Sequence, residues 1–147
     1  GRWTNFLSGE TADGCCWRQE HHDYFSLPLM VKPNSIIPVG AVDDRPDYDY
    51  VDGVSFHIFA MEDGASAART VYTVKGQPEV TLTVVRDGGR LTARTDRMDT
   101  DHAQKDWNIL LRGIHKVFAV ENGSFEDTAL GLRVIPKDFH RPILINL

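Results

Sequence analysis

Residues 79–95 read EVTLTVVRDGGRLTART, and the fold follows from how this stretch is read. Val80, Leu82 and Val84 alternate with Thr81, Thr83 and Val85, the period of two that gives an extended chain one aliphatic face. DGG at 87–89 offers two glycines free to take positive φ, a strong hairpin signal, and RLTART at 90–95 is the returning strand. The same grammar extends both ways. Upstream, VSFHIFAM at 54–61 places Val54, Phe56, Ile58 and Ala60 on one face; EDGA turns the chain, and RTVYTV at 69–74 leads through KGQP back to the hairpin. Downstream come WNILL at 107–111, then 117–120, LGLRVI at 130–135 and PILINL at 142–147. Helical periodicity is scarce. About eight short strands, spaced roughly eight to twelve residues apart, predict an all-β protein with an antiparallel β-sandwich.

The N-terminal third follows a different pattern. Strands are expected at 2–8, with Trp3 and Phe6 buried, and at 15–20 after the turn SGETADG; two more are expected at 27–32 and 36–39. Pro28, Pro33 and Pro38 cannot donate to a ladder, so these strands must be edges or must stop at the prolines. The acidic, tyrosine-rich stretch DDRPDYDY at 43–50 is expected to carry the chain, as a solvated and partly rigid crossover, from a small first sheet to a second one. The expected division is 1–46, an incomplete small β domain, and 47–147, a β-sandwich of about six to eight strands. About four strands are too few for a closed sandwich, so the first part should need a partner surface. The opening GRWTNFLSGE begins at full strand strength, as expected either of a trimmed start or of the end of something longer.

Composition narrows the function classes. A 147-residue chain, 41% hydrophobic and 25% charged, is that of a soluble globular protein. A net charge of −5 without a basic stripe argues against nucleic acid as a partner. No run approaches the roughly 18 apolar residues of a membrane helix, and no signal-peptide pattern opens the chain. Cys15 and Cys16 are adjacent, which makes a disulfide framework unfavourable and a reducing cytoplasm the expected location.

Several residues suggest chemistry and are weighed against plainer roles. Asp47, Asp49 and Asp52, with Gly53, approach a calcium-loop spacing, but an exposed crossover is the favoured reading. His21 and His22 beside Asp23 carry metal-ligand types; adjacent side chains on a strand diverge, so a polar turn is favoured. Cys15 and Cys16 lack further ligands at zinc spacing. No metal and no cofactor is therefore expected. His57 is read as a solvent-face or interface residue. Trp3, Trp17, Trp107, Tyr24, Tyr48, Tyr50 and Tyr72 could stack on sugars, but core packing is the usual use of such rings. NGS at 122–124 fits the glycosylation sequon, which a cytoplasmic chain would not use.

Gly1, Trp3, Asn5, Phe6, Ser8 and Gly9, then Trp17, then LPLMVKPNSIIPVG at 27–40 form a long, idiosyncratic pattern. Together with DDRPDYDY it resembles the C-terminal region of glycoside hydrolase family 31, most of all its bacterial α-xylosidases. Cys15-Cys16 departs from the glycine and polar residue usual in that family. The resemblance implies a proximal domain lacking its opening strands followed by a whole distal β-sandwich domain. It also implies a (β/α)8 catalytic barrel elsewhere in the parent chain, with this region as its partner.

Retaining glycosidases need two carboxyl groups about 5 Å apart. In that family both are barrel aspartates, and a barrel requires around 250 residues. No acid here sits in such a motif, so no catalytic residue is assigned and the chain alone is expected to be inactive. The expected function is a non-catalytic accessory region of an α-xylosidase, releasing α-linked xylose from oligosaccharides, that supports the barrel and supplies oligomer contacts. The alternatives are a free-standing carbohydrate-binding module and a protein-interaction β-sandwich.

Overall fold

The computed structural model describes residues 1–97 and 105–147. Within them every regular element is a strand. The hairpin expected over residues 79–95 forms: β7 (Pro78–Asp87) pairs antiparallel with β8 (Arg90–Arg97), with Asp87 opposite Arg90. Gly88 takes φ 57, and its amide donates to Asp63 Oδ1 at 2.6 Å. Val80, Leu82 and Val84 are buried together with Leu91 and Ala93, so the period of two in the sequence is the inward face of this sheet. β6 (Ser66–Tyr72) flanks β7, while β13 (Ile143–Asn146) and β10 (Ala119–Glu121) follow beyond β8, giving the order β10-β13-β8-β7-β6.

The second five-stranded sheet has the order β11-β12-β9-β5-β4, from β4 (Ser35–Val39), β5 (Val54–Phe59), β9 (Trp107–Arg112), β11 (Gly123–Thr128) and β12 (Gly131–Pro136). Its inner residues Val54, Phe56, Ile58, Ile109, Leu111, Leu132 and Val134 meet those of the first sheet in one core. Each large side chain buried there contributes about 1.5–3 kcal/mol. One pair is parallel: β5 and β9 run alongside each other from Val54↔Trp107 to Phe59↔Arg112. Between them the chain crosses to the opposite sheet and builds the β6-β7-β8 meander. The sheets also meet at one side, where Arg69 Nε donates to the carbonyl of Ile36 at 3.3 Å.

A third sheet, of order β2-β1-β3, holds the N-terminal residues: β1 (Arg2–Asn5), β2 (Thr11–Asp13) and β3 (Met30–Val31). Here several expectations are corrected. The return strand is Thr11–Asp13, inside the stretch read as a turn, whereas residues 15–20 are irregular and exposed. The chain turns at Cys15, with φ 63, before a strand could start there. β3 shrinks to two residues because Pro28 and Pro33 lie on either side of it and cannot donate to a ladder. Trp3 is 38% exposed rather than buried, and its neighbour Thr4 is buried instead, since side chains alternate across the strand.

β4 is the largest correction. It does not end the small first sheet but forms an edge of the sandwich, antiparallel to β5, from Ser35↔Phe59 to Val39↔Ser55. Pro38 is tolerated because an edge strand can leave a missing N–H facing away from the sheet. DDRPDYDY is therefore the connection between two neighbouring strands of one sheet, not a crossover between sheets. It is tightly folded. Asp49 Oδ1 accepts from the amides of Val51 and Asp52, Tyr50 donates its hydroxyl to the Pro46 carbonyl at 2.7 Å, and Val51 plugs the core.

Candidate functional site

The three-stranded sheet is tied to the sandwich by residues just after β1. Asn5 Oδ1 accepts from the amides of Leu7 and Ser8, closing a turn that presents Phe6 to the outer face of the β5/β9 sheet. There Phe6 stacks on His57 (centroids 5.8 Å, 15°) and lies 6.0 Å from Phe59. Arg112, 6% exposed, completes the contact. Its Nη2 donates to the Phe6 carbonyl at 2.7 Å, its Nη1 to His57 Nδ1 at 3.3 Å, and its guanidinium lies 5.1 Å from the Phe59 ring centroid. Burial first, then the charges of Arg112 and Arg133, push the His57 pKa down to about 4. The imidazole is thus neutral and can accept the guanidinium hydrogen bond. Burial also lowers the pKa of Arg112 from its ordinary value. Of the two roles read for His57, solvent face or interface, its 8% exposure leaves the second; its partners Phe6 and Arg112 were not foreseen. Alternation along WNILLR puts Arg112 in phase with Leu110 on the outer face, and that was the available signal.

Beyond this contact the N-terminal segment has an uncovered apolar surface. Trp17, Tyr24 and Phe25 are almost fully exposed, and Leu7, Leu27 and Leu29 about half. Tyr24 and Phe25 meet edge to face at 5.4 Å. Six large apolar side chains within 23 residues are far more than the scattered exposed residues usual on a soluble surface. Beside them, Glu20 pairs with Arg18 and His22, each at 2.9 Å, around a hollow of about 250 Å³ also lined by His21 and Asn5.

A second feature lies between the 47–50 loop and the β6–β7 turn, a cleft of about 670 Å³. Lys105 enters it between two carboxylates, at 2.7 Å from Asp49 Oδ2 and in direct contact with Glu79 Oε1. Burial opposes the charge on both Asp49 and Lys105, but the ion pair outweighs it, aided at Asp49 by the turn amides. The carboxyl pKa is held below, and the ammonium above, its ordinary value. Tyr48 and Tyr50 also line the cleft, crossed at 86° with centroids 4.9 Å apart. Gly40 leaves room for the Tyr48 ring in this position: a Cβ there would lie 1.7 Å from the Tyr48 hydroxyl.

The other candidates are scattered. Trp107 is in the core, edge-on to Phe56 and Phe139, far from a role as a stacking surface. Of the seven rings weighed in the sequence, Tyr48 and Tyr50 pair with each other, and they cross rather than form a flat platform. Asp49, from the weighed calcium loop, directs its carboxylate to Lys105 and to amides of its own turn. Cys15 and Cys16 are exposed free thiols. Asn122 of the sequon is committed to the fold: its Nδ2 donates to the carbonyls of Asp138, Arg141 and Pro142, and its Oδ1 accepts from the Asp138 amide. Among the described residues, no three His, Cys, Asp or Glu side chains converge as a metal-binding group, and no helix is long and apolar enough to cross a membrane.

A family described as alpha-xylosidase YicI, C-terminal domain, matches residues 49–147. The alpha-xylosidase XylQ of Lactiplantibacillus pentosus is 31% identical over 98 residues, which are 65% of this chain and 13% of XylQ. Two structures of the Flavobacterium johnsoniae GH31 dextranase FjDex31A, a mutant complexed with isomaltotriose and a complex with glucose, share the fold. Each has a TM-score of 0.78 at 16% identity, over 100% of this chain and 23% of the dextranase. The chain thus spans a small part of the length of these relatives.

Proposed function

Because this chain belongs to the family of alpha-xylosidase YicI C-terminal domains, a C-terminal region of GH31 enzymes, we propose that it is the non-catalytic accessory region of an α-xylosidase. The parent releases α-linked xylose from oligosaccharides, and the region described here holds the catalytic barrel in place. One observation carries the supporting role. On the segment between β2 and β3, Trp17, Tyr24 and Phe25 stand almost fully exposed and Leu27 and Leu29 about half. Burying such a surface against a barrel stabilises both partners by roughly 25 cal/mol for each Å² of apolar area covered. The identity shared with XylQ supports the choice of α-xylosides over other α-glycosides. The two free cysteines support a cytoplasmic location.

The test uses the parent enzyme. Trp17→Asp combined with Phe25→Asp should lower its melting temperature and reduce hydrolysis of an aryl α-xyloside, while leaving the sandwich intact by circular dichroism. Wild-type melting and activity in that variant would refute the supporting role. A parent that hydrolyses aryl α-glucosides faster than aryl α-xylosides would refute the specificity.

A further inference from the structure

We propose that the cleft between the 47–50 loop and the β6–β7 turn is a second ligand site, one that takes an uncharged, hydroxyl-rich molecule. At about 670 Å³ it lies within the roughly 300–1,000 Å³ of small-molecule sites. Its lining has the composition such sites share, mostly apolar surface from Tyr48, Tyr50, Val74 and Pro78, with a few fixed polar groups.

The polar groups select the ligand. Lys105 is held between Asp49 and Glu79, with side chains 18% and 13% exposed at Lys105 and Glu79, so ammonium and carboxylate are presented in one orientation. An anion would face Asp47, Asp49 and Glu79; a cation would face Lys75 and Lys105. A hydroxyl can donate to a carboxylate and accept from an ammonium, and so satisfies both. A pyranose adds a C–H face that packs on a tyrosine ring, and one ring of a crossed pair suffices for that. That the polyol is a sugar rests on the reading of the parent as a glycosidase. The cleft lies on the sandwich, whereas the apolar segment belongs to the N-terminal sheet, so the two sites can be disabled separately.

The experiment is a nuclear magnetic resonance titration of the whole chain with xyloglucan heptasaccharide and isomaltotriose, with glucose 6-phosphate and spermidine as charged controls. Saturable shifts at Tyr48, Val74 and Gln77 with a neutral sugar are expected at concentrations up to the order of 10 mM. Glu79→Gln and Tyr48→Ala should each weaken binding about tenfold or more. Gln77→Ala, a surface change that spares the ion pair, should weaken it less, and Trp17→Ala should leave it unchanged. No saturable shift with either sugar, tighter binding of a charged control, or shifts insensitive to Glu79→Gln and Gln77→Ala would overturn the proposal. Any of these would leave the barrel-supporting role standing, because that role is read from the melting and activity of the Trp17 and Phe25 variant.

Discussion

Arg112 donates a 2.7 Å hydrogen bond to the backbone carbonyl of Phe6, 106 residues earlier in the chain, and this bond fastens the N-terminal sheet to the sandwich. Arg112→Ala removes it together with the guanidinium contacts to Phe6 and Phe59. The loss is expected to be about 2–3 kcal/mol, the value of a charge-assisted hydrogen bond plus desolvated cation–π contacts. Urea denaturation measures it. Limited proteolysis should show faster cleavage within residues 14–29 than in the sandwich, and equal rates would refute the fastening role.

Acid should weaken the same junction. The folded pKa of His57, about 4, lies below its ordinary 6.5, so between those values the unfolded chain binds a proton that the folded chain does not. The contribution of a neutral His57 is therefore complete above pH 6.5 and lost progressively as the pH falls toward 4. It amounts to on the order of 2–3 kcal/mol. His57→Gln keeps an acceptor for Arg112 without the titration. Denaturation midpoints followed from pH 7 to pH 4 should fall less in that variant, and parallel curves would exclude the mechanism.

Two glycines should respond differently to alanine. At Gly131, φ is 139 and a Cβ would lie 2.0 Å from the Leu111 carbonyl oxygen, within the sheet itself. Gly131→Ala should cost about 3 kcal/mol or more or prevent folding, as expected when backbone strain and a backbone clash coincide. At Gly40 the obstacle is the Tyr48 ring, which can swing aside. Gly40→Ala should cost about 1 kcal/mol while altering the tyrosine environment of the cleft. Thermal melts and the tyrosine near-ultraviolet dichroism separate the two outcomes.

Asn122 stands where a sequence scan sees a glycosylation site, yet its side chain holds the β12–β13 connection through four hydrogen bonds. Asn122→Ala removes the partner of the half-buried Asp138 amide and carbonyl and of the exposed Arg141 and Pro142 carbonyls, and should destabilise by about 1–2 kcal/mol. Asn122→Gly relieves the backbone, which has φ 59, but not the missing bonds, so it should recover only part of the loss. Calorimetry gives the ranking; Asn122→Gly matching wild type would show the side chain to be dispensable.

Alternation made β5, β7 and β8 readable, because Val54, Phe56, Val80, Leu82 and Val84 point into a single core. β11 was not foreseen since GSFEDT lies at a sheet edge with most of its residues exposed, which leaves no period-two apolar signal. The prolines of 27–40 were read as ending a separate sheet, and it is the ladder between Ile36 and Ile58 that shows otherwise. The site was less legible. The composition of DDRPDYDY marked the loop, but Glu79 in β7 and Lys105 just ahead of β9, which define its chemistry, are distant in sequence and follow no motif. Nor could the sequence indicate that the outer-face Arg112 is covered, since its cover is Phe6.

The parallel pairing of β5 with β9 constrains how the molecule is made. Ser55 and Asn108, 53 positions apart, share a 2.7 Å side-chain hydrogen bond. No local hairpin can create that neighbourhood. The β7–β8, β4–β5 and β11–β12 pairs are local, but β5 and β9 can join only after the whole meander has returned. Refolding is therefore governed by a long loop closure and should be slow for a chain of this size.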